Sequence, residues 1–287
     1  MFFFDLYNRI HIDEKWFNMD EKSMKAYVVE DEEKEFGRQV RCTHKKVMFL
    51  CAIARPRWNT SENRIFNGKI GIWPFIEMRQ AKNNSRNRPA GTWEMVPKNV
   101  TRDVYREMMI DKVIPAIVEK WPADSRNIAI SIQQDNAKPH IHVDDEEINY
   151  AMAETGMNMH MLCQPANSPD LNVLDLGFFQ SIQCLQQELE QRTTKDVVDA
   201  TLEAFEKFEH KKLDYNFLTL QKVMEQVILC NGDNTFTTPH MGKKNWREQE
   251  NYQQQIRCLR SAWNILEIIT YEVITLLFTY FFLFGEK

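Results

Sequence analysis

Apolar and polar residues alternate almost from the start. In residues 7–13, Ile10 and Ile12 share one side of an extended chain and His11 and Asp13 the other, the period of a half-buried strand. A hairpin partner is expected near residues 16–29, followed by a solvated acidic turn, Glu30-Asp-Glu-Glu-Lys-Glu35. Residues 47–54 are apolar almost throughout, as in a strand covered on both faces. Alternation returns at 127–134, where Ile128, Ile130 and Ile132 line up, and a short strand is predicted at 157–163. Helical spacing fills the gaps. One helix starts after Thr101 as N-cap and runs to Glu119, with Val104, Met108 and Val113 inward and Pro115 kinking or shortening its end. Others are predicted near 144–154, 195–210 and 216–230. A further helix, capped by Asn172, carries the stripe Phe178, Phe179, Ile182 and Leu185. Strands that lead and then alternate with helices predict an α/β domain with a mixed sheet and flanking helices.

Residues 55–99 break this rhythm. They are rich in Pro, Asn and Arg, with one apolar run at 70–76, and read as an insertion with a task of its own. Charge sharpens the point. The whole chain of 287 residues carries −5, yet residues 41 to 98 hold 12 Lys or Arg against 3 Glu, so that segment is at +9 and the remainder at −14. Arg55, Arg57, Arg64, Arg79, Lys82, Arg86 and Arg88 could follow a phosphate backbone, with strongly salt-dependent binding; the alternative is a solvated loop. The six cysteines show no metal-site spacing and read as reduced thiols.

Three aspartates then claim attention: Asp13 and Asp135 after strand-like runs, and Asp175 at the third position of the stripe helix, where the dipole favours its ionised form. Carboxylates converging from distant parts of a chain suit hard divalent cations, and a pair of Mg²⁺ or Mn²⁺ ions can activate a nucleophile and stabilise a leaving oxygen in phosphodiester chemistry. Asn136 would orient a carboxylate or phosphate. His140 lies near the cleft or is satisfied by backbone groups. Glu14, on the opposite strand face from Asp13, has a supporting or surface role.

The residues Ile12-Asp-Glu-Lys-Trp-Phe17, Lys46-Val-Met-Phe-Leu-Cys-Ala-Ile-Ala-Arg-Pro-Arg57, Gln134-Asp-Asn-Ala-Lys-Pro-His140, Asn167-Ser-Pro-Asp-Leu-Asn-Val-Leu-Asp175 and Pro239-His-Met-Gly-Lys243 stand in an order that resembles the catalytic domain of mariner-like DNA transposases, especially the plant and oomycete type. That resemblance implies a ribonuclease H-like fold over residues 1–260, with the basic insertion at about 55–100. It also implies Asp13, Asp135 and Asp175 holding two Mg²⁺ or Mn²⁺ ions, DNA cleavage followed by strand transfer of transposon ends into a TA target, a homodimer, and a nuclear location. Asp170 has the separation from Asp135 found in animal mariner enzymes, 34 intervening residues, but Asp175, with 39, holds the place that follows the Ser-Pro-Asp turn. Two departures qualify the expectation. The chain begins 12 residues before Asp13, leaving no room for the family's helix-turn-helix modules, and residues 261–287 form an apolar tail beyond the resemblance. Glu267 and Glu272 make that tail a poor membrane span. Two other readings stay open: a silent or domesticated DNA-binding relic, and another ribonuclease H-like nuclease.

Overall fold

Strand β1 (Arg9–Asn18) is the centre of the molecule. The computed structural model describes residues 6–18, 46–84, 88–165, 168–189, 191 and 193–232. After β1 come β2 (Lys46–Ala54), β3 (Arg57–Asn59), β4 (Arg64–Phe66), β5 (Lys69–Pro74), β6 (Ile76–Gln80), β7 (Trp93–Pro97), β8 (Ile130–Gln134) and β9 (Met159–Cys163). The helices are α1 (Arg102–Met108), α2 (Ile114–Lys120), α3 (Glu146–Glu154), α4 (Phe179–Gln187), α5 (Thr194–Lys207) and α6 (His210–Leu229). Five strands form one mixed sheet in the order β5-β2-β1-β8-β9. The β1–β2 and β2–β5 pairs are antiparallel, and β1–β8 and β8–β9 parallel.

Each sheet face has its own core. Ile10, Ile12, Leu50, Ala52, Ile130 and Ile132 pack against Tyr105, Met109, Val113, Ile117, Ile148 and Met152 of the α1–α3 layer. On the other face Phe17, Phe49, Cys51 and Ile53 meet Phe178, Phe179, Ile182, Val197, Phe205, Phe217 and Leu220 of the α4–α6 layer. Burying each such side chain contributes on the order of 1.5–3 kcal/mol. Strand β2 is apolar on consecutive residues because it feeds both cores.

Several expectations change. The hairpin partner of β1 is β2, and residues 16–18 belong to β1 itself; residues 19–45, with the acidic run, lie outside the described residues. The basic segment is not a solvated loop: its described residues carry five strands. Its β5 is an edge strand of the central sheet, and a bulge opposite Ala52/Ile53 lets Ile70 enter one core and Ile72 the other. Pro115 does not end its helix. A π-helical turn, Met109–Val113, joins α1 to α2, widening the backbone where a proline would otherwise strike the preceding turn, and the rod continues to Lys120. Thr101 is the N-cap, its side chain accepting from the Val104 N–H. Ile128 lies exposed ahead of β8. The stripe helix is broken after Asp175: Leu176 has ψ +35° and Gly177 φ +106°, and regular helix resumes at Phe179. No described helix is long and apolar enough to cross a membrane. Residues 239–243 and the apolar tail lie outside the described residues.

Candidate active site

Strands β1 and β8 run parallel with Arg9 beside Ser131, Ile10 beside Ile132 and His11 beside Gln133. Carrying that register two residues further sets Asp135 level with Asp13. Strand β8 stops at Gln134 while β1 continues to Asn18, so Asp13 stands where the parallel pairing with β8 has ended. Asp13 is therefore mid-strand rather than at a strand end. It shares the α4–α6 face with His11 and meets the turn that brings Asp175.

That turn is held by Asn172. Its Nδ2 donates to Asp13 Oδ2 at 2.6 Å, while its own Oδ1 accepts the Leu174 N–H at 3.1 Å. The other Asp13 oxygen accepts the Glu14 N–H at 2.7 Å. The Asp175 carboxyl hydrogen-bonds with that of Asp13. Burial first, then the charges of Asp175 and Glu14, raise Asp13 well above the usual carboxylate range. Burial likewise raises Asp175, against the opposing pull of Lys15. The expected helix-dipole stabilisation of ionised Asp175 is thus overturned: its turn is broken at Gly177, leaving little aligned helix, and desolvation dominates.

Asp135 opens the loop after β8. Its Oδ1 accepts the Ala137 N–H at 2.9 Å and lies 2.6 Å from His140 Nδ1. His140 is buried and stacked on Tyr105 at 4.6 Å between ring centres, and its Nε2 lies 2.8 Å from Glu14 Oε2. Burial pulls the His140 pKa down, but the hydrogen bond and charge of Glu14, with Asp135, raise it to about 9. Glu14 does face away from Asp13, yet it is not a surface residue; it turns inward to His140. Asn136 does not orient an acid: its amide donates to the Gln164 carbonyl at 3.1 Å. The asparagine that does so is Asn172, which is not the expected N-cap: Val173 holds that position, and the Asn172 side chain accepts the Leu174 N–H instead.

The basic residues separate into two groups. Arg55 is fully buried, paired with Asp214 at 2.9 Å and stacked on Tyr7, so it cannot reach DNA without unfolding its surroundings. Arg57 donates to the Tyr7 carbonyl at 2.7 Å and lies over Trp121 at 4.7 Å, which makes it structural as well. Both expectations are corrected, for the same reason: the stretch folds back onto the sheet. Arg64 and Arg79 are exposed, beside Glu62 and Glu77, Lys82 is exposed, and half-buried Arg88 pairs with Glu94. Arg86 lies outside the described residues.

Among the described residues no group of three or more His, Cys, Asp or Glu is gathered tightly enough to form a ready-made cation site. The donor set nevertheless fits hard divalent cations. Asp13, Asp135 and Asp175 offer only oxygen, and the burial and repulsion that raise Asp13 and Asp175 are what a bound cation would relieve. The described cysteines, at 51, 163, 184 and 230, are free thiols.

No protein-family model matches the chain, and no curated protein does. Solved structures do. A pre-cleavage Mos1 transpososome is similar with TM-score 0.56 at 18% identity, covering 81% of this chain and 58% of that one. A Mos1 mariner paired-end complex with Mn gives 0.55 at 18%, over 80% and 57%. The isolated catalytic domain of Mos1 mariner transposase gives 0.50 at 17%, over 80% and 85%. The chain therefore spans little more than half of the full-length transposase and most of its catalytic domain. At this identity the likeness establishes the fold, a ribonuclease H-like α/β sheet arranged as in that catalytic domain.

Proposed function

We propose that this chain is the catalytic part of a mariner-like DNA transposase, cleaving phosphodiester bonds of transposon ends and joining them to target DNA. One observation carries the reading. Asp13 on β1, Asp135 in the loop after β8 and Asp175 on the broken turn before α4 lie near enough to act on one another's charge, and burial and repulsion raise Asp13 and Asp175. Such an arrangement is costly for folding alone and is typical of functional sites. Asp13, Asp135 and Asp175 would hold two Mg²⁺ or Mn²⁺ ions. When bound, such ions activate a water or a DNA 3′-hydroxyl and stabilise the departing oxygen.

The chain's own groups do the positioning. Asn172 and the Glu14 N–H aim the two oxygens of Asp13, and Lys15 offsets part of the negative charge near Asp175. Among the described residues Arg64, Arg79, Lys82 and Arg88 are the expected side chains left to contact phosphates, and Arg86 keeps that role in the proposal. Support for DNA as substrate comes from the similar structures, which include Mos1 with a left transposon end and a Mos1 strand transfer complex; others of that protein contain Mn or Mg. A TA dinucleotide target, a homodimer and a nuclear location belong to the same proposal, resting on the sequence resemblance.

A nicking assay on end-bearing DNA with Mn²⁺, run beside an Asp135→Ala variant, tests it. Metal-dependent nicking by the parent chain and none by the variant is expected; equal, metal-independent signals would instead indicate a silent relic. Offering a pre-cleaved end with a target duplex then separates a transposase, which joins the two, from a plain nuclease, which does not.

A further inference from the structure

We infer that Glu14 and His140 act as a positioning pair for Asp135, clamping one carboxylate oxygen so that the other faces the cleft. This rests on the proposed role of Asp135, but its observations lie on the opposite side of β1 from Asp13. His140 Nε2 is 3.0 and 2.8 Å from the two Glu14 oxygens. Its Nδ1 is 3.1 Å from the Asp135 carbonyl and 2.6 Å from Asp135 Oδ1. Every one of these partners is an acceptor. Both ring nitrogens must therefore donate, because a neutral tautomer would set a lone pair against an oxygen.

The ring cannot swing away. Its side chain is 3% exposed and lies stacked on Tyr105, 28° from parallel. The Tyr105 hydroxyl donates to Gln134 Oε1 at 3.3 Å, and Gln134 Nε2 donates to the Ile141 carbonyl at 2.7 Å. A buried network satisfied in this way fixes orientation. Asp135 Oδ1 accepts the Ala137 N–H and lies 2.6 Å from His140 Nδ1 as an ion-pair contact, the ring's own hydrogen bond going to the Asp135 carbonyl, while Oδ2 has no hydrogen bond among the described residues. Glu14 completes the logic: its charge balances the imidazolium, which would otherwise compete with a cation for Asp135.

The test is Mn²⁺ titration of the full chain without DNA, read by electron paramagnetic resonance, with melting curves to verify folding. Glu14→Gln and His140→Gln should each weaken Mn²⁺ binding by about 10- to 100-fold, the usual effect of losing a group that orients a metal ligand. Nicking should recover at high Mn²⁺ in Glu14→Gln, because the acids remain. Folded variants that bind Mn²⁺ as tightly as the parent would overturn the inference. If His140→Gln does not fold, Glu14→Gln decides alone, since its amide oxygen still accepts from Nε2. If Asp135→Ala also binds like the parent, the assignment of the acids has failed rather than that of the pair.

Discussion

Asn172 donates to Asp13 at 2.6 Å across 159 positions of sequence, tying the turn that carries Asp175 to the middle of the central strand. The same side chain accepts the Leu174 N–H, so one amide both caps a turn and aims a carboxylate. Asn172→Ala should lower Mn²⁺-dependent nicking by about 10- to 100-fold and stability by about 0.5–1.5 kcal/mol through the lost hydrogen bond to Leu174. Asn172→Asp separates the tasks. It keeps the acceptor for Leu174 but puts a fourth carboxyl against Asp13, so nicking should fall as far while the melting temperature at low pH changes less.

Gly177 shapes the break that follows Asp175. Its φ of +106° is outside the range side-chain-bearing residues favour, although an added Cβ would have room, its nearest neighbour being Asn216 Oδ1 at 3.8 Å. Gly177→Ala should therefore cost about 1–3 kcal/mol through backbone strain rather than collision. Chemical denaturation measures that cost, and nicking should drop with it because Asp175 sits two residues away.

His11 is wholly buried behind Asp13, its ring edge against Phe217, and neither ring nitrogen has a hydrogen-bond partner among the described residues. Burial, helped by the charge of Arg9, lowers its pKa from 6.5 to about 3. The unfolded chain binds this proton more readily than the folded one. Its contribution to stability is therefore complete above pH 6.5 and is lost progressively on acidification toward pH 3, at up to about 1.4 kcal/mol per pH unit. His11→Phe should flatten that slope in urea melts between pH 6.5 and 4; an unchanged slope would assign the acid sensitivity elsewhere.

Arg55 and the exposed cations Arg79 and Lys82 should behave oppositely. Arg55→Ala leaves Asp214 without its buried partner and should cost about 3–5 kcal/mol of stability. Arg79→Ala and Lys82→Ala should leave the melting temperature within a degree or two. If these side chains contact phosphates, each loss should reduce the slope of log affinity against log salt by about 0.9. Filter binding across a salt series distinguishes the two classes.

Much of the sheet was legible because its signals are local. Ile10 and Ile12, the apolar run of β2 and the pair Ile130 and Ile132 report burial through periods set by backbone geometry alone. The basic segment misled because Arg55 and Arg57 look like surface cations until the chain folds back and covers them. Glu14 was read in part for a related reason: alternation gives its face correctly and leaves a supporting or a surface role open, but cannot say that His140 waits there.

By itself the sequence determined many of the strands and helices outside residues 55–99, several of the apolar faces, and which acids could do chemistry, since each depends on neighbours a few residues away. Distances between remote residues had no such local signal. Only the packed structure decided that β1 and β8 pair in parallel with His11 beside Gln133, that Asn172 reaches Asp13, and that His140 bridges Glu14 and Asp135. Those contacts arise when two cores close on one sheet, and the order in which strands pair is fixed by the whole chain rather than by any segment of it.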